Sequence, residues 1–405
     1  MSETHRQQRH VVAACYLGWT LDAFDFFILI FVLRKVAASF HTTVEPIAWA
    51  IFLTLLFRVF GAVIFGRLAD RYGRRPTLMA NVLIYSVLEF ATGFTPTLTV
   101  FLVLRGLYGI AMGGEWGVGA SLTMESVPAR WRGRVSGLLQ AGYPSGYLLA
   151  SLLNYAEPTI GWRGMFMVGA LPALLVFYIR RNVPESPDWQ ARVEAEHRVP
   201  ILTVLRQHLP LTIYAVVMMT AFNFFSHGTQ DIYPSLFLEG QHKFSTNTVS
   251  TIAVIYNIGA ILGGLFFGSI SQRIGRRTAI VAAALLSLAC LPLWAFGTTA
   301  TMIGLGAFLM QFFVQGAWGV IPVHLNELSP GAIRGTFPGL VYQLGNFIAS
   351  GNANIQTRIG LSQGHNYSWA LAGVAAAAAI VIAVLVGLGR EARNVRMGRE
   401  RVPAE

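Results

Sequence analysis

The sequence predicts an all-α membrane protein of twelve transmembrane helices arranged as two pseudo-symmetric six-helix halves. Three observations carry that expectation. Hydrophobic residues make up 54% of the 405 residues and charged residues only 12%, against about 25% charged in a typical soluble domain. Twelve apolar stretches are each long enough for the ~20 residues that a spanning helix requires. The loop from Gly66 to Arg75 recurs from Gly268 to Arg277, and Trp116, Glu125, Pro128, Arg132 and Gly133 recur at the same 202-residue offset as Trp318, Glu327, Pro330, Arg334 and Gly335. A constant offset held over so many landmarks marks a duplicated unit of about 200 residues.

The spans follow in order. The first, 11–33, carries Asp22 and Asp25 and ends at Arg34-Lys35, so it does not read as a cleavable signal. The second, 47–65, contains Arg58 and runs into the repeated loop; the third covers 77–95. The fourth, 98–124, holds Arg105 and Glu115 among glycines at spacings of three and four, which let helices approach closely. Spans five and six, 135–156 and 163–180, complete a half at 1–180. The stretch 181–208, with Pro184, Pro187 and Pro200 and charges from Glu185 to Glu196, reads as a linker with a short surface helix. Spans at 209–237, 248–267, 278–297, 300–325, 336–357 and 367–389 make the second half, 209–389, before a basic tail at 390–405. Both termini are expected on the cytoplasmic side. Of the 30 Lys and Arg, only Arg34, Lys35, Arg163, Lys243 and Arg358 fall outside and Arg58 and Arg105 within spans. The net charge of +11 is thus a topology signal, the tail meeting anionic headgroups, and not a nucleic-acid surface. Cys15 and Cys290 form neither a disulfide framework nor a metal site.

Ionisable groups at mid-span are expensive, roughly 3 kcal/mol each, and persist where they face a wet cavity or one another. Here they are Asp22, Asp25, Arg58, Arg105, Glu115, His227 and Asp231, with Glu89 and His324 nearer span ends. Asp22 and Asp25 share one helix face; so do Asn223, His227 and Asp231. The repeat offset pairs Asp25 with His227, which places both beside a central cavity. A guanidinium offers two parallel donors to a carboxylate, so Arg58 is the first candidate for binding an anion and Arg105 the second, with a structural pairing of Arg105 to Glu115 or a carbonyl weighed against it. No nucleophile–base pair, phosphate loop or cofactor motif is present, which argues against an enzyme.

The motif Gly66-x-x-x-Asp70-Arg71-x-Gly73-Arg74-Arg75 and the run Glu125-x-x-Pro128-x-x-x-Arg132-Gly133, each with a second copy, resemble those of the major facilitator superfamily. That resemblance implies the fold of that family, two domains rocking about a central site, and a cytoplasmic gate. There Asp70 sits at a helix amino terminus while Arg71, Arg74, Glu125 and Arg132 make ion pairs between the halves. With Gln272 in place of the aspartate, the second copy should latch more weakly. The seventh-span run Asn223-x-x-Ser226-His227-x-Thr229-Gln230-Asp231-x-x-x-Ser235 resembles the signature of lactate and pyruvate permeases in the sialate:proton symporter branch, with serine where they carry threonine. Gln343 and Asn346 resemble a Gln-x-x-Asn pair in the same permeases. The resemblance implies a proton symporter of a small monocarboxylate in a bacterial inner membrane, working as a monomer with substrate, protons and lipid as its partners. In that reading Arg58, Asn223, Gln343 and Asn346 bind substrate, and His227 and Asp231, with Asp22, Asp25 and Glu115 as further candidates, couple the proton. The alternatives are sialic acid or another organic or aromatic acid on the same scaffold, and a receptor that binds such an acid without net flux.

Overall fold

The structure is a computed structural model and describes residues 3–194, 200–393 and 395. Glu196 of the linker and the tail arginines beyond 395 lie outside the described residues. The chain forms twelve helical columns. The first four are single helices, Glu3–Ser39, Val44–Tyr72, Arg74–Thr92 and Leu98–Ser126. Four later columns are also unbroken or nearly so: Thr246–Ile274, Arg276–Leu288 with Leu291–Phe296, Ala300–Leu328 and Ser368–Leu388. Among the described residues nine helices are long and apolar enough to cross a membrane by length and composition. The third, fifth and eleventh complete the twelve. They escape that count because they are more polar: the third carries Arg74, Arg75, Asn81 and Glu89, the fifth Gln140, Pro144 and Ser145, and the eleventh Asn352, Asn354, Gln356 and Arg358.

The interruptions were not expected from hydropathy. The fifth column is Arg132–Gln140 then Gly142–Asn154, and the eleventh is Phe337–Ala349 then Asn352–Ser362. The sixth begins at Glu157, six residues before the expected start, turns at Gly161 in the left-handed region (φ 68°) and breaks again before Pro172. The seventh runs Leu209–Gln230 and continues past Pro234 as a wider turn of π-helix, Tyr233–Gln241. Proline removes a donor and clashes with the preceding turn, which favours such an irregular continuation. Between the sixth and seventh columns lie two short helices, Pro187–Glu194 and Ile201–Gln207, where one was expected.

Glycine sets the tightest contacts. Gly61 meets the Ile110 carbonyl of the fourth column, and its repeat equivalent Gly263 meets the Phe312 carbonyl of the tenth. Gly113 lies directly against the backbone of Arg58; a methyl group there would overlap the Arg58 carbonyl. The second column is thereby clamped to the fourth, and the Arg58 side chain is held by backbone packing.

Candidate functional site: a central cavity and a closed face

The Arg58 side chain is 4% exposed and its Nη2 lies 3.7 Å from Asp22 Oδ2, with the guanidinium carbon 6.0 Å from the centre of the Phe26 ring. It points into a narrow cavity of about 30 Å³ between the two sets of six columns, room for about two water molecules. The polar wall comprises Arg58, Gln140, Asn223, Ser226, His227, Gln315 and Asn346. The apolar wall is chiefly aromatic: Trp19, Phe26, Tyr143, Trp318 and Tyr342. Rings continue behind it, Trp19 stacking on Tyr143 at 5.8 Å and Trp116 meeting Tyr342 at 4.7 Å.

Five columns deliver the polar groups. On the seventh, His227 Nδ1 lies 3.1 Å from Asp231 Oδ1, one helical turn on, and His227 Nε2 lies 3.0 Å from Asn346 Oδ1 of the eleventh. Both ring nitrogens thus face acceptor oxygens. Asn346 in turn donates to Gln343 Oε1 at 3.4 Å, so Gln343 stands behind Asn346. Asn223 donates to the Met219 carbonyl at 2.8 Å and presents its carbonyl end to the cavity. Gln315 donates from Nε2 to Ser226 Oγ at 3.3 Å. Gln140, Gln315 and the five aromatic residues were not singled out as site residues in the sequence, and Ser226 entered only as a member of the seventh-span motif. Trp318 was visible there only as the repeat partner of Trp116.

Three candidates fall elsewhere. Arg105 does not reach the cavity: it pairs with Glu89, donates to Thr92 Oγ1 at 3.0 Å and lies over the Tyr108 and Phe166 rings. Its partner is therefore Glu89, not Glu115 or a carbonyl. Asp25 is fully buried among the first six columns, where a methyl on Gly169 would lie 3.0 Å from its Oδ1 and about as near to Glu89. The repeat register held for sequence position but not for facing, because the first column turns Asp25 toward the Arg105–Glu89 pair. Glu115 is likewise buried, with its Oε1 against Gly18 of the first column. Asp22 sits behind Arg58. Asp22, Asp25, Glu89 and Glu115 surround two arginines in a dry interior, a costly arrangement in any folded protein.

The face that carries both chain ends is closed by a second constellation. Asp70 accepts from the Gly335 N–H at 2.9 Å and the Thr336 hydroxyl at 2.6 Å, and pairs with Arg74 at 3.0 Å. Its repeat equivalent Gln272 accepts from the Gly133 N–H at 3.2 Å. Arg74 forks onto Glu125 at 3.0 and 3.1 Å, and Arg276 onto Glu327 at 3.0 and 3.2 Å. These ion pairs stay within one set of six columns. Between the sets run the Asp70 bonds to the Gly335 N–H and the Thr336 hydroxyl, the Gln272 bond to the Gly133 N–H, and the Ser121 and Ser136 hydroxyls donating to the Arg334 and Gly319 carbonyls, where ion pairs were expected. Arg71 makes none of these and lies over its neighbour Tyr72 at 5.2 Å. Arg132 donates to the Met124 and Val395 carbonyls at 2.9 and 2.8 Å, and its equivalent Arg334 lies 3.8 Å from Asp188. Glu185 caps the third column through the Arg74 and Arg75 N–H groups at 2.9 and 3.2 Å, and Glu391 caps the ninth through Arg276 and Arg277 at 3.2 and 3.0 Å.

Twelve columns, an internal repeat and a polar cavity between the two sets are the design of many secondary transporters. The Major Facilitator Superfamily model matches residues 15–351, and the chain belongs to that family. It is 30% identical over 372 residues to a carboxylic acid transporter protein homolog of Saccharomyces cerevisiae, covering 85% of this chain but 60% of that longer protein. It is 30% identical over 345 residues to the sialic acid transporter NanX of Escherichia coli, covering 84% of each. Its fold is similar to that of the proton:xylose symporter XylE, with a TM-score of 0.79 at 18% identity over 97% of this chain and 98% of that one. The family places it among multi-pass membrane transporters, and not among enzymes.

Proposed function

We infer that the protein is a proton-coupled symporter of a small monocarboxylate, with lactate and pyruvate the first substrates to test. The observation that carries this reading is the cavity that Arg58 and His227 share. Arg58 supplies the counter-charge that an anion needs in a low-dielectric barrier. The His227–Asp231 pair supplies a place for the proton. With both ring nitrogens facing oxygens, the hydrogen bonds are complete in two ways: as imidazolium beside an ionised Asp231, or as neutral imidazole accepting from a protonated Asp231. Either way the pair holds one proton more than a free imidazole and carboxylate would. One proton moving with one monoanion carries no net charge. Asn223 and Asn346, with Gln343 behind it, complete the anion's surroundings.

In this reading the arginine-rich face with both termini is cytoplasmic, the membrane is the bacterial inner membrane, and the cytoplasmic gate is shut. The halves at 1–180 and 209–389 rock about the cavity, and Asp70, Arg74, Glu125 and Arg132 hold the gate. The two relatives, named for carboxylic and sialic acids, support an acidic substrate. A second reading, an aromatic acid, is favoured by the five aromatic side chains on the apolar wall. Substrate binding to purified Arg58→Gln tests the anion site. Loss of lactate binding by a protein with wild-type thermal stability is expected; wild-type affinity would remove Arg58 from the site.

A further inference from the structure

A buried polar atom without a partner is costly, so the unmatched atoms of a binding wall describe the ligand that completes it. Among the described residues, Arg58 Nε and Nη2, Trp19 Nε1 and Gln315 Oε1 have no hydrogen-bond partner, Nη2 facing Asp22 Oδ2 only at 3.7 Å, and all three side chains line the same cavity and are at most 4% exposed. Three of the four atoms are donors. Nε and Nη2 form one edge of the guanidinium fork, the edge that takes both oxygens of a carboxylate. The fourth, Gln315 Oε1, is an acceptor. Its own Nε2 already donates to Ser226, so the amide turns its oxygen outward.

We propose that Gln315 is a specificity-determining residue that accepts a hydrogen bond from a hydroxyl on the transported acid, so that the site selects 2-hydroxy acids over 2-keto and unsubstituted acids. The proposal rests on the carboxylate lying at Arg58 as inferred above. A 2-hydroxy acid places its hydroxyl one carbon from the carboxylate, within reach across a cavity this small. It gives Arg58 two acceptors and Gln315 one donor. A 2-keto acid sets an acceptor oxygen against Gln315 Oε1, and propionate offers that oxygen nothing. A site that has a polar atom waiting for a hydroxyl rejects the analogue lacking it far more strongly than an apolar pocket rejects a missing methylene. Arg58 lies on the second column and Gln315 on the tenth, so such a substrate also ties the two sets of six together.

The test is ligand titration of the purified full chain by intrinsic tryptophan fluorescence, since Trp19 and Trp318 line the cavity. Lactate, pyruvate and propionate are compared on wild type and on Gln315→Met, which keeps length but removes the acceptor. Wild type is expected to bind lactate at least about tenfold more tightly than either analogue. In the variant that preference should collapse toward unity, with an unchanged midpoint of thermal unfolding showing that the variant is folded. Equal binding of the three acids to wild type, preference for pyruvate, or a lactate preference that survives in Gln315→Met would each overturn the assignment of Gln315 and leave the carboxylate site standing. Failure of all three acids to bind wild type would overturn the carboxylate reading and this proposal with it.

Discussion

Replacing Asp70 by asparagine tests how the closed face is held. Asp70 accepts from the Gly335 N–H, the Thr336 hydroxyl and Arg74. The first two contacts bridge the sets of helices; the third does not, and Arg74 keeps its fork to Glu125 without it. Asparagine preserves size and one acceptor but removes the charge from both bridging bonds. Charged hydrogen bonds contribute roughly 1.5–3 kcal/mol and neutral ones about 0.5–1.5, so the loss is about 1 kcal/mol for each bond. A total of about 2 kcal/mol shifts a two-state equilibrium roughly thirtyfold toward opening. The assay is alkylation of a cysteine placed at Ser226, a cavity position, by an impermeant maleimide added from the terminus-bearing face; Cys15 and Cys290 are buried. A rise of about thirtyfold in labelling rate is expected. An unchanged rate, with the protein folded, would refute the view that Asp70 holds the face shut.

Three other perturbations follow from the same geometry. Gln272→Asp, which gives the weaker copy the charge of the stronger, should slow that labelling, read in the same assay. His227→Ala and Asp231→Asn should each abolish accumulation against a pH gradient while sparing exchange of internal for external substrate, measured by counterflow. Glu185→Ala and Glu391→Ala each remove a carboxylate from a helix amino terminus, at a cost of about 1 kcal/mol. The two should lower the midpoint of thermal unfolding by similar amounts.

The fold was legible because a bilayer leaves few choices: apolar length, loop charge and a repeated loop specify a twelve-helix bundle with little help from packing. Within the site, the His227–Asp231 spacing was readable because both residues sit on one helix. Contacts between helices were not. Arg105 finds Glu89 across a turn of chain that spacing cannot judge, and Asp25 faces away from the cavity because helix rotation is set by neighbours. The glutamate caps escaped for another reason. Glu185 and Glu391 play matching roles but are 206 positions apart, so a search at the repeat offset passes over them. The breaks in the fifth and eleventh columns fall at Ala141, just before Gly142 and Pro144, and at Ser350-Gly351, where glycine and proline weaken the helix and the apolar run gives way. Gly113 shows the converse: its glycine was visible, but that it supports Arg58 needed coordinates. Gly113→Ala should therefore weaken lactate binding severalfold, and unaltered binding in a folded variant would show that Arg58 tolerates displacement.

The central claim is that a small carboxylate and a proton cross together. Uptake of labelled lactate into proteoliposomes under an imposed pH gradient, with unlabelled competitors, tests it most directly. Accumulation that follows the gradient, is competed by unlabelled lactate more strongly than by pyruvate, and ignores sialic acid is the predicted result. No lactate uptake by vesicles shown to contain folded protein, or uptake indifferent to the gradient, would contradict it.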